Sequence, residues 1–306
     1  MPRPKEPALL IGTDDGLHQL LPDPRVVLPD QKVTALATSG EAVWCITDDR
    51  TVRRQRHGTA FKPIFELTDR RLTCLALTSH GVFIGTSGAH LLRIKNKKLG
   101  MLHSFDRVTG RSEWFSPDGE EADTRSIAQS ESGAVFVNVH VGGIPRSTTG
   151  GETWKPTVPI EHDVHQVIAH PKREGLLFAA AAVGLCVSEN DGDTWTVRTD
   201  GLHGDYCRAV ALCGDTVLVT ASTGPRSRRG AIYHTSLNPD DTLEKCEKGL
   251  PEWFSGNIDT GCLAAHGQRA AFGTKDGEVY ASPDCGETWQ RLAAGLPPVR
   301  AVAFSG

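Results

Sequence analysis

Short apolar runs recur along this chain at intervals of about forty residues, and each is followed, across a polar turn, by a second. The first members fall at residues 33–37, 72–76, 126–128, 164–168, 208–211 and 261–264, and the second at 43–47, 82–86, 135–141, 176–182, 217–222 and 270–274. Runs this short, rich in Val, Ile, Leu and Ala and bounded by Gly, Asp, Asn and Ser, predict paired strands. That makes six units, with two fragments left over. Residues 8–17 read as a second and third strand with no first strand ahead of them, and residues 299–304 as a first strand with nothing after it. Joined, the two complete a seventh unit.

A polar phrase repeats in step with the strands. It is clearest in Ser147-Thr148-Thr149-Gly150-Gly151-Glu152-Thr153-Trp154, Ser188-Glu189-Asn190-Asp191-Gly192-Asp193-Thr194-Trp195 and Ser282-Pro283-Asp284-Cys285-Gly286-Glu287-Thr288-Trp289. Ser147 and Ser188 are 41 residues apart and Ser188 and Ser282 are 94, which leaves room for one more copy. Residues 236–243 occupy that place, with Asp240 for the Gly and Leu243 for the Trp, and residues 58–61 give a fainter echo. A period of 40 to 50 residues made of short strands is the signature of a propeller. The expectation is therefore an all-β, seven-bladed β-propeller, closed by pairing of the N- and C-terminal strands in one blade. Residues 1–306 would form a single domain, with blade one built from about 8–28 plus 298–304.

The octapeptide S-x-[D/N/T]-x-G-x-T-W resembles the Asp-box, or BNR repeat, of sialidase-like and related β-propellers. Over roughly residues 124 to 296 the chain is similar to bacterial WD40/YVTN/BNR-like repeat proteins, a group with no settled activity. The stretches carrying that likeness include residues 139–147 and 249–254. The resemblance implies that the box lies between the third and fourth strands of a blade, away from any active site. It makes Ser147, Trp154, Ser188, Trp195, Ser282, Asp284 and Trp289 structural. The physics agrees: the third-position side chain folds back on the turn, Gly supplies positive φ, and Trp packs on its neighbours. Sialidase chemistry does not carry over. The family's Arg-Ile-Pro motif has only Ile144-Pro145-Arg146 to set against it, and Tyr206, Tyr233 and Tyr280 lack a convincing Glu partner.

Composition narrows the remaining classes. A formal charge of −4 leaves no basic footprint for nucleic acid. No run is long and apolar enough to span a bilayer, and residues 1–7 lack the apolar core of an export signal, so a cytoplasmic protein is expected. Eight scattered cysteines without a C-x-x-C pair then read as reduced thiols. Phosphate-loop, G-x-S-x-G and zincin motifs are absent.

Candidate chemistry falls on the face opposite the boxes, where the inter-blade segments and the turns between second and third strands meet. Asp123, Asp163 and Asp205 each stand two residues ahead of the first innermost-strand position, and Asp259 precedes blade seven. Arg125, His165 and Cys207 align with Val33, Leu72 and Val299 of other blades, which places polar groups at the axis. His140 ends a second strand near His165. The pair are candidate metal ligands and, with Asp259, candidate catalytic groups. His162 and His165 form an H-x-x-H, but in an extended segment this spacing points them apart. Trp114 and Trp253, in twin Glu-Trp-Phe-Ser segments, are candidate rim aromatics. The loop at residues 224–230 carries three arginines suited to an anion. The sequence thus supports a binding or scaffold propeller that presents its channel mouth to a small molecule or protein. The alternative is a hydrolase or lyase, possibly metal-dependent, using a pocket of Arg125, His140, His165, Cys207 and Asp259.

Overall fold

The computed structural model describes residues 6–40, 42–56 and 58–305. Residues 1–5, part of the segment read for an export signal, lie outside that set. The described chain forms seven four-stranded antiparallel sheets. Their innermost strands touch in sequence round a closed ring: Val33–Ser39, Leu72–Thr78, Thr124–Gln129, Val164–Ala169, Tyr206–Cys213, Leu263–His266, Val299–Ser305, and back to the first. The protein is a seven-bladed β-propeller.

Blade one closes the ring. Val299–Ser305 is its inner strand and pairs with Ala8–Thr13, which continues to Gly16–Leu21 and Arg25–Pro29. Leu9 faces Phe304 and Ile11 faces Val302 across the seam. Second strands are the most buried. Val135–Val139 and Leu177–Ala181 are buried at every position, because neighbouring blades cover both faces of the sheet. Such strands read as continuous apolar runs rather than alternating ones. Outermost strands such as Lys62–Glu66 and Thr196–Arg198 face solvent, and Ile64 and Val197 on them are exposed.

Two boundaries differ from the sequence reading. The second strand of blade four ends at Val139, so His140 sits in the following turn. The inner strand of blade seven begins only at Leu263. Gly261 has φ 76°, and with Thr260 it lines a hollow between the inner strands.

The repeated octapeptide forms the turn between third and fourth strands in blades four, five and seven. In blade seven the Gly286 and Asp284 amides donate to Ser282 Oγ (2.8 and 3.3 Å). Asp284 Oδ1 accepts from the Thr288 amide (2.8 Å), and Trp289 Nε1 donates to the Gly286 carbonyl (3.0 Å). Ser188, Asn190 and Trp195 repeat this pattern, as do Ser147, Thr149 and Trp154. Blade six departs from it. Without the glycine, Ser236 Oγ donates to Asp241 instead, and Leu243 takes the buried position of the Trp.

The expectation of eight reduced thiols is corrected. Cys213, at the end of blade six's inner strand, forms a disulfide with Cys285 in the blade-seven octapeptide. The other six cysteines are free and buried. The bond joins two turns of the same face, which sequence spacing alone could not bring together.

Candidate functional site at the channel mouth

Most inner strands begin with the same irregularity. Pairing with the second strand slips between Val33 and Ala35, Leu72 and Cys74, Thr124 and Ser126, Val164 and Gln166, and Cys207 and Val210. In blade one it slips between Val299 and Ala301. Each slip is a β-bulge, one extra residue that leaves the ladder and re-aims its side chain. The residues so released include Thr34, Thr73, Arg125, His165, Arg208 and Arg300. They mark the end of the channel where the inner strands start.

This register corrects one expectation. The counterparts of Val33, Leu72 and Val299 are Thr124, Val164 and Cys207, all buried. Cys207 is fully enclosed in the apolar core, where burial pushes its thiol above the usual range. Its neighbour Arg208 faces the channel instead.

A cavity of about 570 Å³ opens at this end among Arg125, His140, Asp163, Tyr206, Arg208 and the loop at residues 223–227. Arg125 and Arg208 also border a second hollow of about 300 Å³, lined by Arg71, Asp123, Asp259 and Thr260. The Thr260 hydroxyl donates to the Arg208 carbonyl (3.0 Å) and lies 3.2 Å from that of His165, so it bridges three blades.

His140 is held by a strained turn. Its amide donates to the Asp123 carbonyl (2.9 Å), and the next residue, Val141, has φ 39°. A β-branched residue in that region is a true outlier, costing roughly 1–3 kcal/mol. Asp163, also left-handed at φ 43°, stands between two imidazoles, 3.7 Å from His140 Nε2 and 3.6 Å from His165 Nε2. His165 donates from Nδ1 to the Cys207 carbonyl (2.6 Å), because a carbonyl can only accept. In the neutral ring Nε2 is then an acceptor facing a carboxylate, and the gap calls for a donor.

Burial, with Arg125 next, lowers the His140 pKa to about 4, so this ring is neutral at neutral pH. Burial also lowers the His165 pKa, against the pull of Asp163. Burial acts to raise the Asp163 pKa, but the imidazoles and Arg125 outweigh it and hold the carboxyl below its usual range. Burial, then repulsion from Arg208, lowers the Arg125 pKa, though a guanidinium stays charged.

Among the described residues several buried polar atoms here find no hydrogen-bond partner: Arg125 Nη1, Asp123 Oδ1, Asp163 Oδ1, His165 Nε2 and Asp259 Oδ1. Asp259 is 3.4 Å from Arg208 Nε and 3.0 Å from Lys275 Nζ.

Arg125 and His140 line the larger cavity, His165 lies behind Asp163, and Asp259 lines the adjoining hollow. The two rim aromatics lie elsewhere. Trp114 packs on Phe105 (5.7 Å between centroids) beneath Arg111, and Trp253 packs on His203 (4.5 Å) beneath Lys245. Among the described residues no group of three or more His, Cys, Asp or Glu is arranged to hold a metal ion. Asp163, Arg208 and Tyr206 join the site without having been singled out as ligand residues. Only the bulge, which the sequence does not mark, brings Arg208 to the mouth.

No protein-family model matches the chain, and no curated protein matches its sequence. Solved structures do match. The GH74 enzyme of Niastella koreensis aligns at TM-score 0.64 and 14% identity over 94% of this chain, which spans 47% of the enzyme's length. The structure of U3-55K aligns at TM-score 0.66 and 13% identity, covering 92% of this chain and 88% of that one. The RRP9 WD40 repeats align at 0.66 and 14% identity, covering 92% and 86%. Among the described residues no helix is long and apolar enough to cross a membrane. At such identities the likeness is one of fold: the chain is similar to WD40 and GH74 β-propellers.

Proposed function

We propose that this protein is a binding propeller of the WD40/YVTN/BNR-like kind, and that its working surface is the channel mouth bordered by Arg125, His140, Asp163 and Arg208. The octapeptide turns, read as Asp-boxes, serve the opposite face as structural clasps. One observation carries the reading: buried polar atoms without partners gather at this mouth. Interiors pair the large majority of buried side-chain polar atoms, so a cluster of exceptions points to an external partner. The cavity, at about 570 Å³, falls within the usual range for small-molecule sites, roughly 300–1,000 Å³.

The test is a thermal-shift screen of charged and neutral metabolites on wild type and on Pro225→Trp. Pro225 lies on the exposed loop and lines the cavity, so an indole there fills the space without touching the core. Compounds should raise the melting temperature of wild type and not of the filled variant. A screen in which nothing acts on wild type, or in which both proteins respond alike, overturns the proposal. Mass spectrometry of the same mixtures addresses the enzyme alternative, which requires turnover that disappears in His140→Ala.

A further inference from the structure

The carboxylates around the mouth are largely engaged. Asp123 Oδ2 is 3.3 Å from Arg71, and Asp49, in the adjoining hollow, is 2.8 Å from Lys32. Asp163 faces His140 and His165, while Asp259 is shared by Arg208 and Lys275. Two cations remain. Among the described residues neither Arg125 nor Arg226 has a carboxylate within 4.0 Å, although both line the larger cavity. Asp118, on the exposed outer rim, is the one cavity carboxylate that joins no ion pair among the described residues.

Arg125 is the unusual one. It projects from a bulge on an inner strand, and Arg208 projects from the corresponding bulge two blades on. Arg125 is half-buried, and Asp163 and Asp123 attract it without pairing with it; a guanidinium so placed beside a second guanidinium is costly unless an anion neutralises it. Its Nη1 makes no hydrogen bond. Arg226 approaches the same space from the loop, and the planar fork of each arginine suits paired oxygens.

We infer that the mouth binds a small oxyanion-bearing molecule, a carboxylate or a phosphate ester, whose anionic group is held by Arg125 with Arg208 and Arg226. His140, between Arg125 and Asp163, contacts the neutral remainder of that molecule. The inference rests on the reading of the mouth as a ligand site, and it adds the charge of the ligand.

The experiment is calorimetric titration of the intact protein with inorganic phosphate, succinate and, as the uncharged counterpart, succinamide. At least one anion should bind, more weakly as salt is raised, and succinamide should not. Whether phosphate or succinate binds tighter tells the two sources apart. Arg125→Gln should weaken the anion roughly tenfold or more, the loss expected for a charge-assisted contact. Arg226→Gln, on the exposed loop, should weaken it in the same direction, and it keeps the test alive should Arg125→Gln fail to fold. Anions binding no better than succinamide overturn the inference, as do both variants binding within about twofold of wild type. Neutral compounds that bind wild type but not Pro225→Trp would leave the ligand site standing and remove only its anionic character.

Discussion

Blades two and three differ from blades four to six at the mouth, and from blades four and five at the other end of the channel as well. At the bulge, blades two and three place Thr34 and Thr73, whereas blades four to six place Arg125, His165 and Arg208. Thr73 Oγ1 donates to the Thr124 carbonyl (2.5 Å), so it serves a neighbouring blade instead of the mouth. On the opposite face blades four and five carry the full Ser-to-Trp turn, and blades two and three lack it. The same backbone therefore supports two chemistries. The bulge creates the position, and its side chain determines whether the position is spent on a neighbouring blade or turned to the mouth.

The largest expected effect comes from breaking the ring that holds the two halves together. Removing Val299–Ser305 takes the inner strand from blade one and strips cover from Leu9 and Ile11. The truncated chain should lose cooperative thermal unfolding by calorimetry, and a melt like that of wild type would refute closure at this seam. Next is Trp289→Ala. This ring is 5% exposed and packs on Phe272, so its loss should cost about 3–5 kcal/mol in denaturant titration. Phe61→Ala, at the half-buried position where blade two keeps only an echo of the phrase, should cost distinctly less. Neither change should alter ligand affinity in the folded fraction.

Acid should weaken the charged half. Because His140 titrates near 4 when folded and near 6.5 when unfolded, the unfolded chain binds the proton more readily. Stability is full above pH 6.5 and falls as pH drops towards 4, at most about 1.4 kcal/mol per pH unit. Unfolding curves of His140→Asn should show a shallower slope across that window. The smallest effect on stability, and the sharpest on the comparison, is Arg125→Thr, which gives blade four the residue of blades two and three. Removing a half-buried charge that forms no ion pair among the described residues should leave the melting temperature unchanged or slightly raised, while binding at the mouth is lost. A marked fall in melting temperature with binding intact would make Arg125 a structural residue.

The fold was legible because its signals are local and repeated. Strand pairs, the Ser-to-Trp phrase and the orphan segments at the two ends each point to the same ring. The site was legible only in part. Arg125, His140, His165 and Asp259 lie at or beside the mouth, but Arg125 and His165 were aligned one position out, and their counterpart in blade six is Arg208, not Cys207. Side chains alternate along a strand, so one unpaired residue reverses which of them face inward. Nothing in the spelling of Tyr206-Cys207-Arg208 reveals the extra residue. Trp114 and Trp253 show the opposite problem, since an aromatic in a loop looks the same whether it meets solvent, as at a rim, or packs over a blade end, as here.

The bulge also bears on how readily such a mouth can change. A residue outside the ladder has no cross-strand partner to satisfy, so where its side chain makes no bond to the next blade it can be exchanged while the packing between blades is kept. The ring thus resembles a dial with separately set positions, and Thr34 is a setting left nearly blank: its hydroxyl is buried with no hydrogen-bond partner. Recognition could be rewritten there while the scaffold keeps its shape.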